Sequence, residues 1–519
     1  MEPYFWWTDE QKEFYVKLGE FFKTIEQREA VTRVKREHPF ELYEEVGKSG
    51  IMGAAIPKEY GGLGLGATGS CMLAENVHFV SPGMGRILVG NMNGGLRQIV
   101  EHGTEEQKAK FLPSIANGTT GAVVITEVTA GTDASGISLR AVKEGDHYVF
   151  NGRKRFIVGA GVATNYFIYA RTTDDPELIK KHKHLTAFMV DAAEIEGIVT
   201  EKINDILGFE NCQNGSLIFN NCVIPESRRV GEEGQGFKIM MNGLNFERTN
   251  IAATSLGWHR TMLRYATSWA QRRVQFGKPV MDISENQFKI SKMVTNFKLM
   301  RDAVYVTAKK WDNGENVVID ASAIKAACAG LALQNAEMAT QIMAGDGINT
   351  FYPVKNLFEI AKTDHIAGGT VEACNLTIFR QALKFWAEDL KMPRRVIDPE
   401  TGTPVPTYDP VEKVACTEEN LLNVLAENYR VNQGLCMTIE DIAEYIDGSD
   451  EEIVAAINAL EASGDAAVAV RNRKTGAPTL TRASYDGLSK AHPDEYYMYW
   501  QSFIDKDPRR HLGSPALGK

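Results

Sequence analysis

The stretch GAVVITEVTAGTD, residues 121–133, is where the chain changes period. Before it, apolar residues recur at spacings of three and four, the pattern of amphipathic helices. TDEQKEFYVKLGEFF (8–22) places Thr8 at an N-cap with acids in the first turn. TEEQKAKFLPSIANG (104–118) reads as a short capped helix stopped at Gly118. Between them, IPKEYGGLGL (56–65) is too rich in Pro and Gly to be helical. After residue 121 the runs are short and β-rich: SLRAVKEG, HYVFNGRKRFIV, NYFIYART, LTAFMVD and GSLIFNNCVI, separated by Gly, Asp and Asn. The Asn-Gly pair at 151–152 predicts a hairpin turn.

From residue 236 helical spacing returns. Four long helices are expected at about 246–273, 284–313, 318–345 and 355–388, joined by short links as in a bundle. Five prolines between 393 and 410 mark a linker. Beyond it, three helices (417–430, 438–446, 450–463) precede two strands around a Lys-Thr-Gly turn, an order like that of a winged helix. The expected class is α+β. A helical N-terminal domain (1–120) is followed by a middle β-barrel or sandwich (121–235), a four-helix bundle (236–392), a linker (393–410) and a winged-helix-like extension with its tail (411–519).

Composition narrows the function classes. A net charge of −10 disfavours a general nucleic-acid or anionic-membrane surface. Seven scattered cysteines with no CxxC read as reduced thiols rather than a metal site or a disulfide framework. No window reaches the ~18 apolar residues a membrane span needs. MEPYFWWTDEQKEF has no basic n-region, so a cytoplasmic location without a signal peptide is expected.

Residues suited to chemistry sit at a few points. Thr126 and Thr132 offer hydroxyls, and Gly131 lets the backbone approach a flat ring, although the same residues also suit a plain turn. In GLNFERTNIAAT (243–254), Glu247 and Arg248 stand side by side at the expected start of a helix that is otherwise core material. A glutamate in a first turn stabilises the helix dipole by roughly 0.3–1 kcal/mol. In an apolar cleft it would instead be a base with a raised pKa.

Read together and in order, TEVTAGTD (126–133), NGRKRFIVGAG (151–161), RRVQFGKPV (272–280), QIMAGDGINTFYPV (341–354) and HIAGGT (365–370) resemble the acyl-CoA dehydrogenase family of flavoproteins over about residues 8–390. The resemblance implies FAD as cofactor. It implies contacts from Thr126, Gly131, Thr132, Phe156, Val158 and Thr370, and from Arg273, Phe276, Gln287, Gln341 and Gly345, some reaching the FAD of a neighbouring subunit in a homotetramer. Val158 departs from the family, where a threonine hydroxyl often bonds the ring.

The family's usual carboxylate, just before the last Gly-Thr, is here Gly368. A second branch, including isovaleryl- and long-chain-type enzymes, takes its base from the start of the first bundle helix, which is Glu247 here. The implied reaction is α,β-dehydrogenation of an acyl-CoA: the α-proton goes to Glu247 and the β-hydride to flavin N5. The Gly368 N–H and the flavin's ribityl hydroxyl stabilise the thioester oxygen. Thr132 and Arg248 would face substrate, and an electron-transfer flavoprotein would take the electrons. Small residues at 367–369 would leave room for a bulky, branched or cyclic acyl group. Glu372, four residues past Gly368, points elsewhere by helical spacing.

Two alternatives stay open. One is a decarboxylating or desulfinating acyl-CoA flavoprotein. The other is a non-dehydrogenating flavoprotein whose C-terminal domain binds nucleic acid or docks a protein. Residues 431–470 contain no Lys or Arg, which opposes nucleic-acid binding there. The aromatic tail DEYYMYWQSFIDKDP (494–508) is the expected docking element of that module.

Overall fold

The computed structural model describes residues 2–91, 95–209, 211–349, 351–387, 389–390, 412–431 and 435–491. The expected linker at 393–410 and the aromatic tail at 494–508 lie outside these. The chain divides into two compact units, Met1–Trp386 and Ala387–Lys519.

The first unit opens with six helices: α1 (Asp9–Lys35), α2 (Phe40–Lys48), α3 (Gly66–Val80), α4 (Pro82–Asn91), α5 (Arg97–His102) and α6 (Glu105–Ala116). Thr8 and Thr104 each form a full capping box with the glutamine three residues on, which sets where α1 and α6 begin.

The middle region is β-sheet: β1 (Gly121–Val124), β2 (Arg140–Glu144), β3 (His147–Val158), β4 (Asn165–Arg171), β5 (Leu185–Asp191), β6 (Ile198–Ile203), β7 (Asn214–Pro225) and β8 (Arg229–Val230), with a short helix α7 (Pro176–Lys180) between β4 and β5. The order is β6-β7-β3-β2-β4-β5-β8, with β1 pairing parallel to β4. The hairpin expected at Asn151-Gly152 is absent. β3 runs straight through both residues, and its register against β7 slips between Phe150 and Gly152. The pair forms a bulge instead: Gly152 takes φ +145°, and the Asn151 side chain bonds Asn221 across the strands. Hydrogen bonds to two neighbouring strands outweigh the local turn preference. The β2–β3 turn falls at Gly145-Asp146.

The helical region follows: α8 (Gly236–Arg272), a β9–β10 ribbon (Val274–Gln275, Lys278–Pro279), α9 (Ser284–Asp312), α10 (Val318–Met343), α11 (Val354–Asp364) and α12 (Val371–Phe385). Two expectations are corrected. α8 begins ten residues before 246, so Glu247 is in its fourth turn rather than its first. The helix expected over 355–388 is two helices, because Gly368 and Gly369, at φ +66° and +88°, break it.

α8 is the central member of the bundle. Every residue from Arg248 to His259 is buried, between α3 and α10. Gly257 makes this close approach possible. A Cβ there would stand 2.5 Å from the Glu75 carbonyl oxygen and 2.6 Å from the Phe79 nitrogen of α3.

The second unit holds β11 (Val414–Ala415), α13 (Glu418–Val431), α14 (Ile439–Ala443), β12 (Ile446–Asp447), α15 (Asp450–Ala462), a β13–β14 hairpin (Ala466–Arg471, Pro478–Ala483) and α16 (Tyr485–Ala491). Its own core includes Leu421, Leu425, Ile442, Ile453, Ile457 and Leu488.

Candidate active site

Glu247 lies on the face of α8 that also carries Ile251 and Ser255, each one turn further on. The His365–Thr370 loop packs against this face. A side chain starting at Gly368 would have its Cβ 3.8 Å from Glu247 Oε1 and 2.4 Å from Ile251 Cδ1. The two positions that sequence comparison treats as alternative sources of a carboxylate therefore converge in space. Ile251 fills the volume that Gly368 vacates, so the extra room expected from small residues at 367–369 does not open at 368.

Glu247 keeps some accessible surface, as a group lining a cleft does, yet protein surrounds it on most sides. Burial pushes its carboxyl pKa up, while the positive charges of Arg248, Arg86 and Lys325 pull it back. The helix dipole, strongest in the first turn, has little hold on a residue in the fourth. With the dipole reading weakened, what offsets the cost of burying Glu247 is the positive charge of Arg248, Arg86 and Lys325.

Arg248 turns inward. Its Nε donates to Gly368 O at 3.4 Å, and its Nη1 reaches Ser322 Oγ on α10 at 3.2 Å and Asn245 Oδ1 at 3.4 Å. Behind the loop, Arg86 of α4 pairs with fully buried Asp364, the last residue of α11. The Arg86 guanidinium stands 4.9 Å from the Phe209 ring centroid and 5.9 Å from that of Trp258. Ser255 Oγ also lies 3.4 Å from Asp364 Oδ2. Burial raises the Asp364 pKa, against Arg86 and Lys325. Tyr169 on β4 is buried near enough to Glu247 for that carboxylate to raise its phenol pKa further, beyond the larger effect of burial. Glu372 is exposed on α12, away from this cluster. Thr370 caps α12, its Oγ1 accepting from Ala373 N at 3.2 Å.

A second set of the expected residues gathers at the end of the sheet. Thr126 is half-buried, and its carbonyl accepts from Arg155 N at 2.8 Å, which ties the 126–133 loop to β3 beside Phe156. Phe156 is 46% exposed and held at φ +57°, a left-handed conformation costly for an aromatic residue. Gly131 and Thr132 are exposed, and a Cβ on Gly131 would meet nothing within 4 Å. An exposed strained aromatic beside an open glycine turn fits the flat ring expected from the sequence. Val158 is half-buried and supplies no hydroxyl.

The third set, Arg273, Phe276, Gln287, Gln341 and Gly345, is exposed throughout. Phe276 is 92% exposed at φ +52°. Among the described residues none of the four side chains of this set bonds to the 126–133 loop or to β3.

Sequence reasoning missed Glu127, Lys154, Arg86, Asp364 and Lys325. Lys154 Nζ pairs with Glu127 Oε1 at 3.0 Å and donates to Ile125 O at 2.7 Å, both side chains almost wholly buried. Lys325 had a signal: it is the one charged residue between Asp320 and Glu337 in an alanine-rich helix.

Known families match this architecture. Residues 8–119, 122–222 and 234–383 match the N-terminal, middle and C-terminal domain models of acyl-CoA dehydrogenase in turn. The chain belongs to the acyl-CoA dehydrogenase family and is an oxidoreductase. It is 35% identical over 349 residues to an acyl-CoA dehydrogenase of Bacillus subtilis (strain 168), covering 67% of this chain and 90% of that one. It is 31% identical over 387 residues to the mitochondrial isovaleryl-CoA dehydrogenase of Oryza sativa subsp. japonica, covering 72% and 92%. The solved butyryl-CoA dehydrogenase from Megasphaera elsdenii superposes with a TM-score of 0.70 at 31% identity, over 73% of this chain and 100% of that one. The three family-model matches end at residue 383, before the second unit. Among the described residues no helix is long and apolar enough to cross a membrane, and no cluster of His, Cys, Asp and Glu could hold a metal.

Proposed function

We propose that this protein dehydrogenates an acyl-CoA thioester between its α- and β-carbons, with FAD as cofactor and Glu247 as the base. The observation that carries the assignment of the base is the 3.8 Å between Glu247 Oε1 and the point where a side chain at 368 would begin. Burial raises the pKa of the Glu247 carboxyl, the direction that strengthens a proton acceptor, and three cations oppose that rise. The Gly368 N–H, which donates to no partner among the described residues, is the donor for the thioester oxygen as negative charge builds there. Arg248 holds the Gly368 carbonyl and so fixes the 368–369 peptide that follows this donor.

Thr126, Gly131, Thr132, Phe156 and Val158 would hold the flavin ring, and Arg273, Phe276 and Gln287 the cofactor's remaining length. When bound, FAD accepts the hydride from the β-carbon. The exposure of Arg273, Gln341 and Gly345 supports their serving the FAD of a neighbouring subunit, and hence a homotetramer. An electron-transfer flavoprotein is the proposed acceptor. A branched short acyl group is the proposed substrate class, supported by the isovaleryl-CoA dehydrogenase relatives. The second unit is read as a winged-helix-like docking module. Its α15 carries Asp450, Glu451, Glu452 and Glu461 without a basic residue, which suits a protein partner better than a phosphate backbone.

The test is anaerobic bleaching of the flavin by straight, branched, cyclic and dicarboxylic acyl-CoAs. Isovaleryl-CoA or a similar branched thioester should bleach fastest. Absence of bleaching by every member would sink the dehydrogenase reading. Release of carbon dioxide or sulfite from a substituted substrate would replace simple dehydrogenation with an eliminating reaction.

A further inference from the structure

The His365–Thr370 loop has three carbonyl oxygens turned onto buried cations. Lys325 Nζ donates to Gly369 O at 2.5 Å and to His365 O at 3.5 Å. Arg248 Nε reaches Gly368 O at 3.4 Å. Both hydrogen-bond partners of the Lys325 ammonium are main-chain oxygens, and the residue is wholly buried on α10.

A buried ammonium is costly, and neutral donors could satisfy two carbonyls at lower cost. Two consequences of the placement repay it. The first is orientation. In a trans peptide C=O and N–H point in opposite directions. Holding the Gly368 and Gly369 oxygens against α8 and α10 therefore turns the next two N–H groups the other way. It also fixes two successive residues at positive φ, which an unsupported Gly-Gly pair would leave free.

The second consequence is charge. The groups facing Glu247 are Arg248 on its own helix, Arg86 on α4, Lys325 on α10 and Tyr169 on β4. The groups facing Lys325 are Cys374 on α12, Asp364 and His365 beside the loop, and Arg248 and Glu247 on α8. Three cations thus surround two carboxylates. Burial lowers the Lys325 pKa, and Cys374, Asp364 and Glu247 oppose that.

We propose that Lys325 is the positioning residue of the proton-abstraction site: its ammonium clamps the His365 and Gly369 carbonyls at the two ends of the loop, so holding the segment that carries Gly368 beside Glu247, and it places a positive charge among the groups around that carboxylate. The proposal rests on Glu247 being the base.

The test uses the full-length FAD-loaded enzyme and the pH dependence of kcat with the acyl-CoA that bleaches fastest. Lys325→Met removes the charge while keeping chain length. The acid-side midpoint of kcat should rise by about half a pH unit or more, because Glu247 loses a nearby cation. Lys325→Arg should bring the midpoint back. A folded, FAD-loaded Lys325→Met enzyme with an unmoved midpoint overturns the proposal. Should Lys325→Met fail to fold, Asp364→Asn carries the test with the opposite sign. It leaves Lys325 and Arg86 less compensated, so the midpoint should fall; an unmoved midpoint again overturns the proposal. Glu247→Gln runs alongside. Persistent turnover in that variant overturns the base assignment and the proposal with it. An inactive Glu247→Gln beside an unmoved Lys325→Met midpoint overturns the Lys325 role alone.

Discussion

Two glycine-bearing loops, 126–133 and 365–370, carry residues proposed above for the cofactor and the substrate, and buried charge holds them in opposite ways. At 126–133 a carboxylate gathers donors. Glu127 accepts from Ser138 N at 2.8 Å, Leu139 N at 2.9 Å and Lys154 Nζ at 3.0 Å. Burial works against the Glu127 carboxylate, but Lys154 and these donors hold it below the usual range. Burial lowers Lys154 to about 8, so both partners stay charged at neutral pH and the pair is balanced. At 365–370 cations gather acceptors, and the surroundings carry more positive than negative groups. On the proposed reading, a balanced pair makes a fixed platform for a flat cofactor. An excess of positive charge makes a place where negative charge can develop during reaction.

The largest consequence concerns the second loop. Glu247→Gln should lower turnover by about 10²–10⁴-fold, measured by stopped-flow flavin reduction. The same substitution has a signed effect on stability. The folded-state pKa of Glu247 lies above its unfolded value, so the folded state holds the proton longer. Wild-type stability from this group is therefore present at low pH and lost as pH rises through the folded pKa. Urea unfolding from pH 4 upward should show the Gln variant gaining on wild type as pH increases.

Next in size is the first loop. Lys154→Met leaves Glu127 as an unpaired buried charge, which should cost about 3–5 kcal/mol in chemical unfolding and empty the flavin site as judged by bound FAD. A loss confined to stability, with FAD content intact, would separate the pair from the platform it is held to support.

Gly368→Ala should cost about 1–3 kcal/mol, because its Cβ meets Ile251 Cδ1 at 2.4 Å in a left-handed backbone. Ile251→Ala in the same chain should recover the steric part. The smallest effect on stability belongs to Phe276→Ala. That side chain is 92% exposed, so thermal unfolding of the FAD-free chain should change by less than about 0.5 kcal/mol while FAD retention falls.

The difference between the loops also explains what could be read in advance. Element types followed from period and capping, as at Thr8 and Thr104. The local signals that misled were overruled by distant partners. Asn151-Gly152 became a bulge because β7 pairs with β3 along its length. The start of α8 has no local mark, because its N-cap residue Gln235 makes no side-chain capping bond. Glu247 and Gly368 were legible as a pair only because one position lacked what the other supplied. The supporting charges were not legible, since Arg86 and Asp364 are 278 residues apart and nothing local marks them as partners. Lys325 alone carried a local signal, a charge in an apolar helix, and the sequence reading did not use it.

The most direct test of the account is exchange of the substrate's α-hydrogen with solvent. The enzyme would be incubated anaerobically in D2O with a saturated branched acyl-CoA and the thioester followed by mass spectrometry. The account expects deuterium at the α-carbon with the wild-type enzyme and with Glu372→Gln, and none above the enzyme-free rate with Glu247→Gln. Exchange that continues at the wild-type rate in Glu247→Gln would contradict the assignment of this carboxylate as the base.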